Sequence, residues 1–498
     1  MSNCQSDFIL TDSVIDNETL IDLNLKKKRE MQGDVNNTVL TTPVYKRRWI
    51  IISLYCLYAM STAYQWIHLV IISNIIVKYY NESLPDDKFQ RETALDSLTM
   101  IYMVVYIPLV FPATFLLKKK GIRVCLLTSA FLNALGAWLK VISVSPDRFA
   151  ALMFSQTACA VAQVFMLGLP AKIAAVWFGA HEVSTATSLG TFGIQIGLAV
   201  GFFVPPNIVR NSNSTMDIGK DLSLLFYGGA GYMTLIFILI VIFFKERPTT
   251  PPSQAQMLAA QDFQKENYGK TLQNIFKNVS FNILLFTFGV NIGCYSALST
   301  LLNPIISEYF TQHETTAGQI GLTMILSGVP GSIMAGIWLD KTKTYKGTAL
   351  GINVICLTGI LIFNFALHHK LLWVVYLCAG IYGFFIAGYF PVAFEFATEI
   401  TYPVSGGISS GLLFASSQLF GIVFIIGCRA MMNKVGALGL SLLIPCALLV
   451  ASIFTGFIPA NYRRQNAEKM ILEQSDDVLE MESMDPASEE SRISKINN

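Results

Sequence analysis

Between Arg48 and Lys78 the chain carries no formal charge, and Trp66 stands near the middle of that run, inside Tyr64-Gln65-Trp66-Ile67-His68. A helix needs about 20 apolar residues to cross the hydrocarbon core of a bilayer. The stretch therefore spans with length to spare and has to tilt. It is the first of many such runs. Hydrophobic residues make up 53% of the 498 positions and charged residues 14%, too little polar surface to coat a soluble particle of this size. The chain reads as an all-α polytopic membrane protein.

Apolar runs bounded by charge, Gly or Pro predict twelve transmembrane helices, beginning near residues 49, 95, 122, 148, 183, 222, 281, 316, 347, 371, 405 and 435. Basic residues crowd the start of the first span (Lys46, Arg47, Arg48), the second connection (Lys118, Lys119, Lys120, Arg123), the middle connection and the eighth connection (Lys341, Lys343, Lys346). By the positive-inside rule these segments and both termini are expected in the cytoplasm. The sequons at Asn81 and Asn213 then fall outside, as glycosylation sites, while the sequon at Asn278 falls inside and stays bare.

The composition divides the chain further. Residues 1–45 lack a signal-peptide core and read as a disordered cytoplasmic tail. Residues 46–244 form a first six-helix half. The prolines, glutamines and charges of 245–280 read as a cytoplasmic linker. Residues 281–460 form a second half, and the acidic, Ser-rich 461–498 a second disordered tail. A net charge of +2 argues against a nucleic-acid partner. Cys4 lies in the first tail, the other cysteines fall in apolar runs, and no CxxC pair occurs, so neither a disulfide framework nor a zinc site is expected.

Gly336-Ile-Trp-Leu-Asp340-Lys341 at the end of the eighth span resembles the loop motif of the major facilitator superfamily. In that motif the Gly permits close helix approach and the acid meets helix ends and basic side chains. The matching place in the first half has Lys118 instead of the acid. This resemblance implies two parallel six-helix halves with a site near the midplane between them. Gly193, Gly197 and Gly201, four residues apart, predict a close helix contact along the fifth span, which Pro205 and Pro206 then end or bend.

Chemistry has few places to sit. Trp49, Trp138, Trp177, Trp338 and Trp373 fall near span ends, where indole favours the headgroup boundary, and Trp66 alone is deep. Its N–H needs a partner in hydrocarbon and its face attracts cations; packing and ligand contact both remain open for it. Gln163, Tyr295 and Gln418 also fall near span centres, where an amide is costly unless paired. No Asp or Glu lies near the centre of spans one, four, seven or ten, so no ion coupling is evident. His68 is read as a hydrogen-bonding packing residue. The five histidines show no metal-ligand spacing, and no phosphate loop or nucleophile elbow is present. No enzyme activity, cofactor or metal is expected.

Longer strings carry a closer resemblance: Tyr64-Gln65-Trp66-Ile67, Ala162-Gln163-Val-Phe-Met-Leu-Gly168-Leu-Pro170, Val176-Trp177-Phe178-Gly179, Ser299-Thr-Leu-Leu-Asn303, and Ser409-Ser-Gly-Leu-Leu with Gln418. Over about residues 46 to 460 the chain resembles the FLVCR family, the feline leukaemia virus subgroup C receptor-related transporters of the major facilitator superfamily. The resemblance implies a plasma-membrane carrier of choline, and of ethanolamine, working by alternating access. Haem export is the alternative it also implies. A ligand-sensing membrane scaffold or receptor is the reading from another class. Carried over, the family's choline pocket uses Trp66 as the cation-facing aromatic, Gln163 and Gln418 as polar partners and Tyr295 as a second aromatic. Tyr64, His68, Ser296 and Phe414 are further candidates for its lining. A register slip at Cys294-Tyr295-Ser296 would pass the tyrosine's place to Ser296, and Phe414 stands where the family pattern is polar.

Overall fold

The computed structural model describes residues 46–178, 182–248, 273–310, 315–402, 404, 406–436, 438–459 and 462–466. The first tail, most of the linker and residues 467–498 lie outside the described residues, as do the side chains of Lys118 and Asp340. Eleven described helices are long and apolar enough to cross a membrane: Arg47–Tyr79, Lys88–Leu117, Lys119–Ile142, Phe149–Trp177, Thr185–Ile208, Thr215–Phe243, Val279–Thr300, Thr316–Leu339, Tyr345–His368, Leu372–Thr401 and Gly407–Val435. They are numbered spans 1 to 11. A shorter apolar helix, Leu442–Phe457, stands in the place of the twelfth. The end of the bundle bearing Arg47, Lys119 and Lys341 is called the basic end, and the opposite one the far end.

Span 2 starts seven residues before its hydropathy predicts. Asp87 caps it, its side chain accepting the Gln90 N–H at 3.0 Å, and the polar first two turns extend the helix where a hydropathy count sees only a loop. Lipid as solvent explains the surface: Phe115, Phe154, Trp373 and Phe457 are all more than 60% exposed. A soluble protein would not leave so much apolar area uncovered. Of the five end-placed tryptophans, Trp49, Trp138, Trp338 and Trp373 are exposed, but Trp177 is buried under the first half.

Each half holds together by backbone proximity. A Cβ on Gly193 or Gly197 would collide with the carbonyl oxygens of Cys56 and Met60, and one on Gly201 with the Ile67 side chain. Span 5 thus lies main chain to main chain on span 1, as the four-residue spacing predicts. In the second half Gly331 meets the Phe384 carbonyl and Gly383 the Met324 carbonyl, which seats span 8 on span 10 in the same way. Pro205 and Pro206 sit in the last turn of span 5, which ends at Ile208.

Two spans are broken at the far end. In span 1 the α-helix stops at Ile67, a 3-10 turn covers Val70–Ile72, and Ser73–Tyr79 is helical again. Span 7 ends at Thr300 and a separate helix, Leu302–Tyr309, follows. The breaks face each other: Asn303 donates its amide to the Ile71 carbonyl at 2.7 Å and accepts from the Ser73 hydroxyl at 3.2 Å. A discontinuous helix with its freed carbonyl met by a side chain is the usual form of irregular backbone at membrane depth.

At the basic end Arg48 pairs with Glu182 and lies over the rings of Trp49 and Phe178 at 5.5 and 5.2 Å. Glu246, just past span 6, accepts the N–H groups of Ile122 and Arg123 at 2.9 and 2.6 Å. Gly121, at φ +84°, makes the turn that presents them. A carboxylate from the sixth connection therefore serves the helix start beside which the loop motif has Lys118 in place of its acid.

Candidate functional site

At 1.5 Å per residue, Trp66 stands roughly 25 Å above Trp49, Gln163 roughly 21 Å above Trp177, Tyr295 roughly 24 Å above Val279 and Gln418 roughly 17 Å above Gly407. The four side chains occupy one band of depth, and all are half-buried, neither sunk in a core nor turned to lipid.

Trp66 packs against a small buried cluster made of Tyr102 of span 2 with Cys159 and Ala160 of span 4. Its indole N–H is buried with no protein partner. Gln163 follows Ala160 by three residues, so it shares that face of span 4. Below it, Phe414 packs with Val164 and sets its ring edge-on to Tyr106 at 5.2 Å, bringing span 11 against span 2. Phe414 thus stands on the seam between the halves, with Gln418 one turn along the same helix, while Trp66 and Gln163 lie on the first-half side of it. Phe414 acts there as the aromatic partner of Tyr106, which a polar residue could not be.

The tyrosine position divides. The ring partner of Tyr295 is Tyr382 of span 10, at 6.4 Å. Ser296 is buried against Gly421 of span 11, which itself abuts the Met103 sulfur of span 2. The position on the seam is that of Ser296, with Tyr295 turned toward the neighbouring helix of its own half.

Tyr64 and His68 do not join this group. Tyr64 packs with Ala134, Ala137, Ala230 and Met233 of spans 3 and 6, and stacks on His68 at 4.7 Å. The His68 ring nitrogen Nδ1 lies 3.1 Å from the Tyr64 carbonyl, a packing hydrogen bond. Both line a cleft between spans 1, 3 and 6 together with Gln65 and Lys140. Lys140 is buried there, its ammonium donating to the Gln65 side-chain oxygen. Nothing in the chain's pattern singles it out, since a lysine near a span end reads as an ordinary flank.

The seam is fastened at the far end. Arg429 of span 11 donates from Nε and Nη2 to the two carboxylate oxygens of Asp96 in span 2, at 2.6 and 2.7 Å, and from Nη1 to Glu92 at 3.4 Å. The side chains of Arg429 and Asp96 are 5% and 2% exposed. At the same end, between a different pair of helices, Phe202 and Pro206 of span 5 meet Gly318 and Gly321 of span 8. With the Asn303 bridge, these contacts close the halves together beyond the band of Trp66. Sequence reading missed both members of the fork, whose partners are 333 residues apart.

Of the loop motif, a Cβ on Gly336 would meet nothing within 4 Å. The close approach read from the motif is therefore not made at Gly336 in this arrangement, and Lys341 is exposed. Asn81 and Asn213 are exposed at the far end, Asn213 accepting from Lys78 at 2.9 Å. Asn278 instead caps span 7 and donates to the Ile400 carbonyl at 2.9 Å.

A sequence profile of the Major Facilitator Superfamily matches residues 54–425. The zebrafish (Danio rerio) Choline/ethanolamine transporter flvcr2b is 45% identical over 446 residues, 89% of this chain and 90% of its own. Human Choline/ethanolamine transporter FLVCR2 is 42% identical, covering 91% of this chain and 83% of its own. Choline/ethanolamine transporter FLVCR1 of the cat (Felis catus) is 41% identical, covering 88% and 77%. Among solved structures, the partially occluded inward-open xylose transporter XylE of E. coli superposes with a TM-score of 0.64 at 14% identity. The match takes in 83% of this chain and 98% of that one.

Proposed function

The chain belongs to the Major Facilitator Superfamily and, within it, to the FLVCR family of choline/ethanolamine transporters, and from that premise we propose that it carries choline and ethanolamine across a membrane by alternating access. The observation that carries the reading is Trp66: a half-buried indole packed between spans 2 and 4, its N–H buried without a protein partner. A fixed cation at such depth costs on the order of 3 kcal/mol, and a desolvated cation–π contact returns about 2 kcal/mol of that. A methylated ammonium suits the site because it forms no N–H hydrogen bonds and gives up less hydration than a metal ion. Gln163 and Gln418 are the groups that orient the ligand's hydroxyl, with Ser296 set against span 11 one turn from Gln418 and Tyr295 behind it.

The proposed cycle alternates the far-end fastening with an opening there. With Arg429 on Asp96 and Glu92, and Asn303 on Ile71, the site is reached from the basic end. Parting these groups exposes it to the far side while the basic end closes. By the charge asymmetry of the connections the basic end is cytoplasmic, with both termini, and the plasma membrane is the proposed location. Among the described residues no carboxylate packs against Trp66, and the proposed carrier is facilitative, driven by the ligand's own gradient and the membrane potential.

The test is flux in liposomes holding the purified protein, with labelled choline on one side and choline, ethanolamine or haem competing. Downhill choline flux that ethanolamine inhibits is the expected result. Correctly inserted protein that moves no choline in either direction overturns the proposal, and flux of haem alone would assign the other ligand.

A further inference from the structure

Of the two buried carboxylates among the described residues, Glu399 accepts the Gln465 N–H near the basic end, and Asp96 stands on the seam. Asp96 belongs to a stripe along span 2 of Glu92, Asp96, Thr99, Met103 and Tyr106, spaced alternately by four and three residues, which keeps one helix face toward span 11. The contacts bear this out: Glu92 and Asp96 meet Arg429, Met103 meets Gly421, and Tyr106 meets Phe414. Thr99, one turn from Asp96 on that face, has a fully buried hydroxyl with no partner. Tyr102, against which Trp66 packs, lies six residues from Asp96, roughly 9 Å along the helix.

In the closed arrangement these carboxylates already hold a planar organic cation, the guanidinium of Arg429. When the halves part at the far end, Arg429 leaves with span 11, and Asp96 and Glu92 remain on span 2 at the top of the stripe. Resting on the reading of the chain as a carrier of small organic ammonium ions, we propose that Asp96 and Glu92 are the first docking point for the substrate cation on the far side. There the ammonium takes the place that the guanidinium holds in the closed state. The pair thus exchanges one counter-ion for another, and the return of Arg429 on closure displaces the ammonium down the stripe toward Trp66. A docking carboxylate at the mouth also answers a difficulty of the central site, which attracts a cation with ring faces and amides alone and exerts little pull at a distance.

Transport kinetics separate this from a strut. If the fork only fastens the halves, Asp96→Asn loosens the far end and raises the population open to that side. The KM for substrate added there then falls or stays level. If Asp96 docks the cation, the same variant raises that KM, by about tenfold for a lost steering charge, while KM measured from the basic end is unchanged. The rise should shrink as salt is added to the wild type, because salt screens the attraction. Glu92→Gln, at a position 24% exposed that tolerates the change, should move KM the same way by less, and Asp96→Glu should restore it.

The wild type is assayed first: if it carries no choline, the proposed function fails and not this inference. If it does, and Asp96→Asn leaves the far-side KM level or lowers it, the docking role is overturned. Should Asp96→Asn fail to reach the membrane, Glu92→Gln decides by the same sign.

Discussion

Replacing Trp66 tests the central site most directly, because two of its properties pull in opposite directions. Its ring face is the cation contact, so Trp66→Ala removes about 2 kcal/mol of binding, roughly a thirtyfold loss of choline affinity. Its N–H is buried without a protein partner, and an unpaired buried donor costs about 1–3 kcal/mol in the empty protein. Trp66→Phe keeps a weaker face and deletes that donor. Its choline affinity should therefore fall only about fivefold, while its melting temperature without ligand stays level or rises. Trp66→Ala should lower the melting temperature, since truncating a fully buried Trp costs about 3–5 kcal/mol and this one is half-buried. Equilibrium binding and thermal unfolding of purified protein give both quantities on one preparation. The control ligand is the neutral analogue with carbon in place of the choline nitrogen. If it competes as well as choline, or if Trp66→Ala binds normally, the cation–π account is wrong.

Gly197→Val drives a side chain into the Met60 carbonyl, and overpacking of about 1–3 kcal/mol should cut yield of folded protein; normal yield and melting would show that spans 1 and 5 can separate freely. Gln65→Leu leaves the Lys140 ammonium buried without its acceptor and should destabilise by about 3 kcal/mol. Lys140→Met, which removes the charge itself, should cost less, and thermal unfolding of the two variants ranks them. Glycosidase treatment should shift the wild type but not the double variant Asn81→Gln with Asn213→Gln. Labelling of a cysteine placed in the 249–272 segment solely from outside the cell would reverse the orientation.

The spans were legible because hydropathy is a property of each helix alone, and so was the close-contact face of span 5, because a four-residue glycine spacing needs no knowledge of the partner; that the partner is span 1 was not. Trp66 stood out as the deep tryptophan. Asp96, Arg429 and Lys140 did not, since a charge within two or three turns of a span end reads as a flank until its partner across the bundle is seen. The break in span 7 left a mark in Pro304, which sits in the first turn of the second helix and lacks the N–H that would carry the hydrogen-bond ladder back to Thr300. The break in span 1 left none: His68-Leu-Val-Ile-Ile-Ser73 holds neither Gly nor Pro, and the interruption rests on the partner that Asn303 supplies. Tyr295 and Ser296, about 100° apart on the helix, could be told apart only by what stands opposite each.

Because Gly193 and Gly197 meet span 1 through the carbonyl oxygens of Cys56 and Met60, span 5 grips a surface that every residue type presents alike. Natural variation along this contact should therefore be lopsided. Substitutions at 56 and 60 leave the gripped oxygens where they are and can drift with the lipid or the cavity they face. Any side chain at 193 or 197 wedges the two helices apart, so selection falls on one partner of the pair and spares the other.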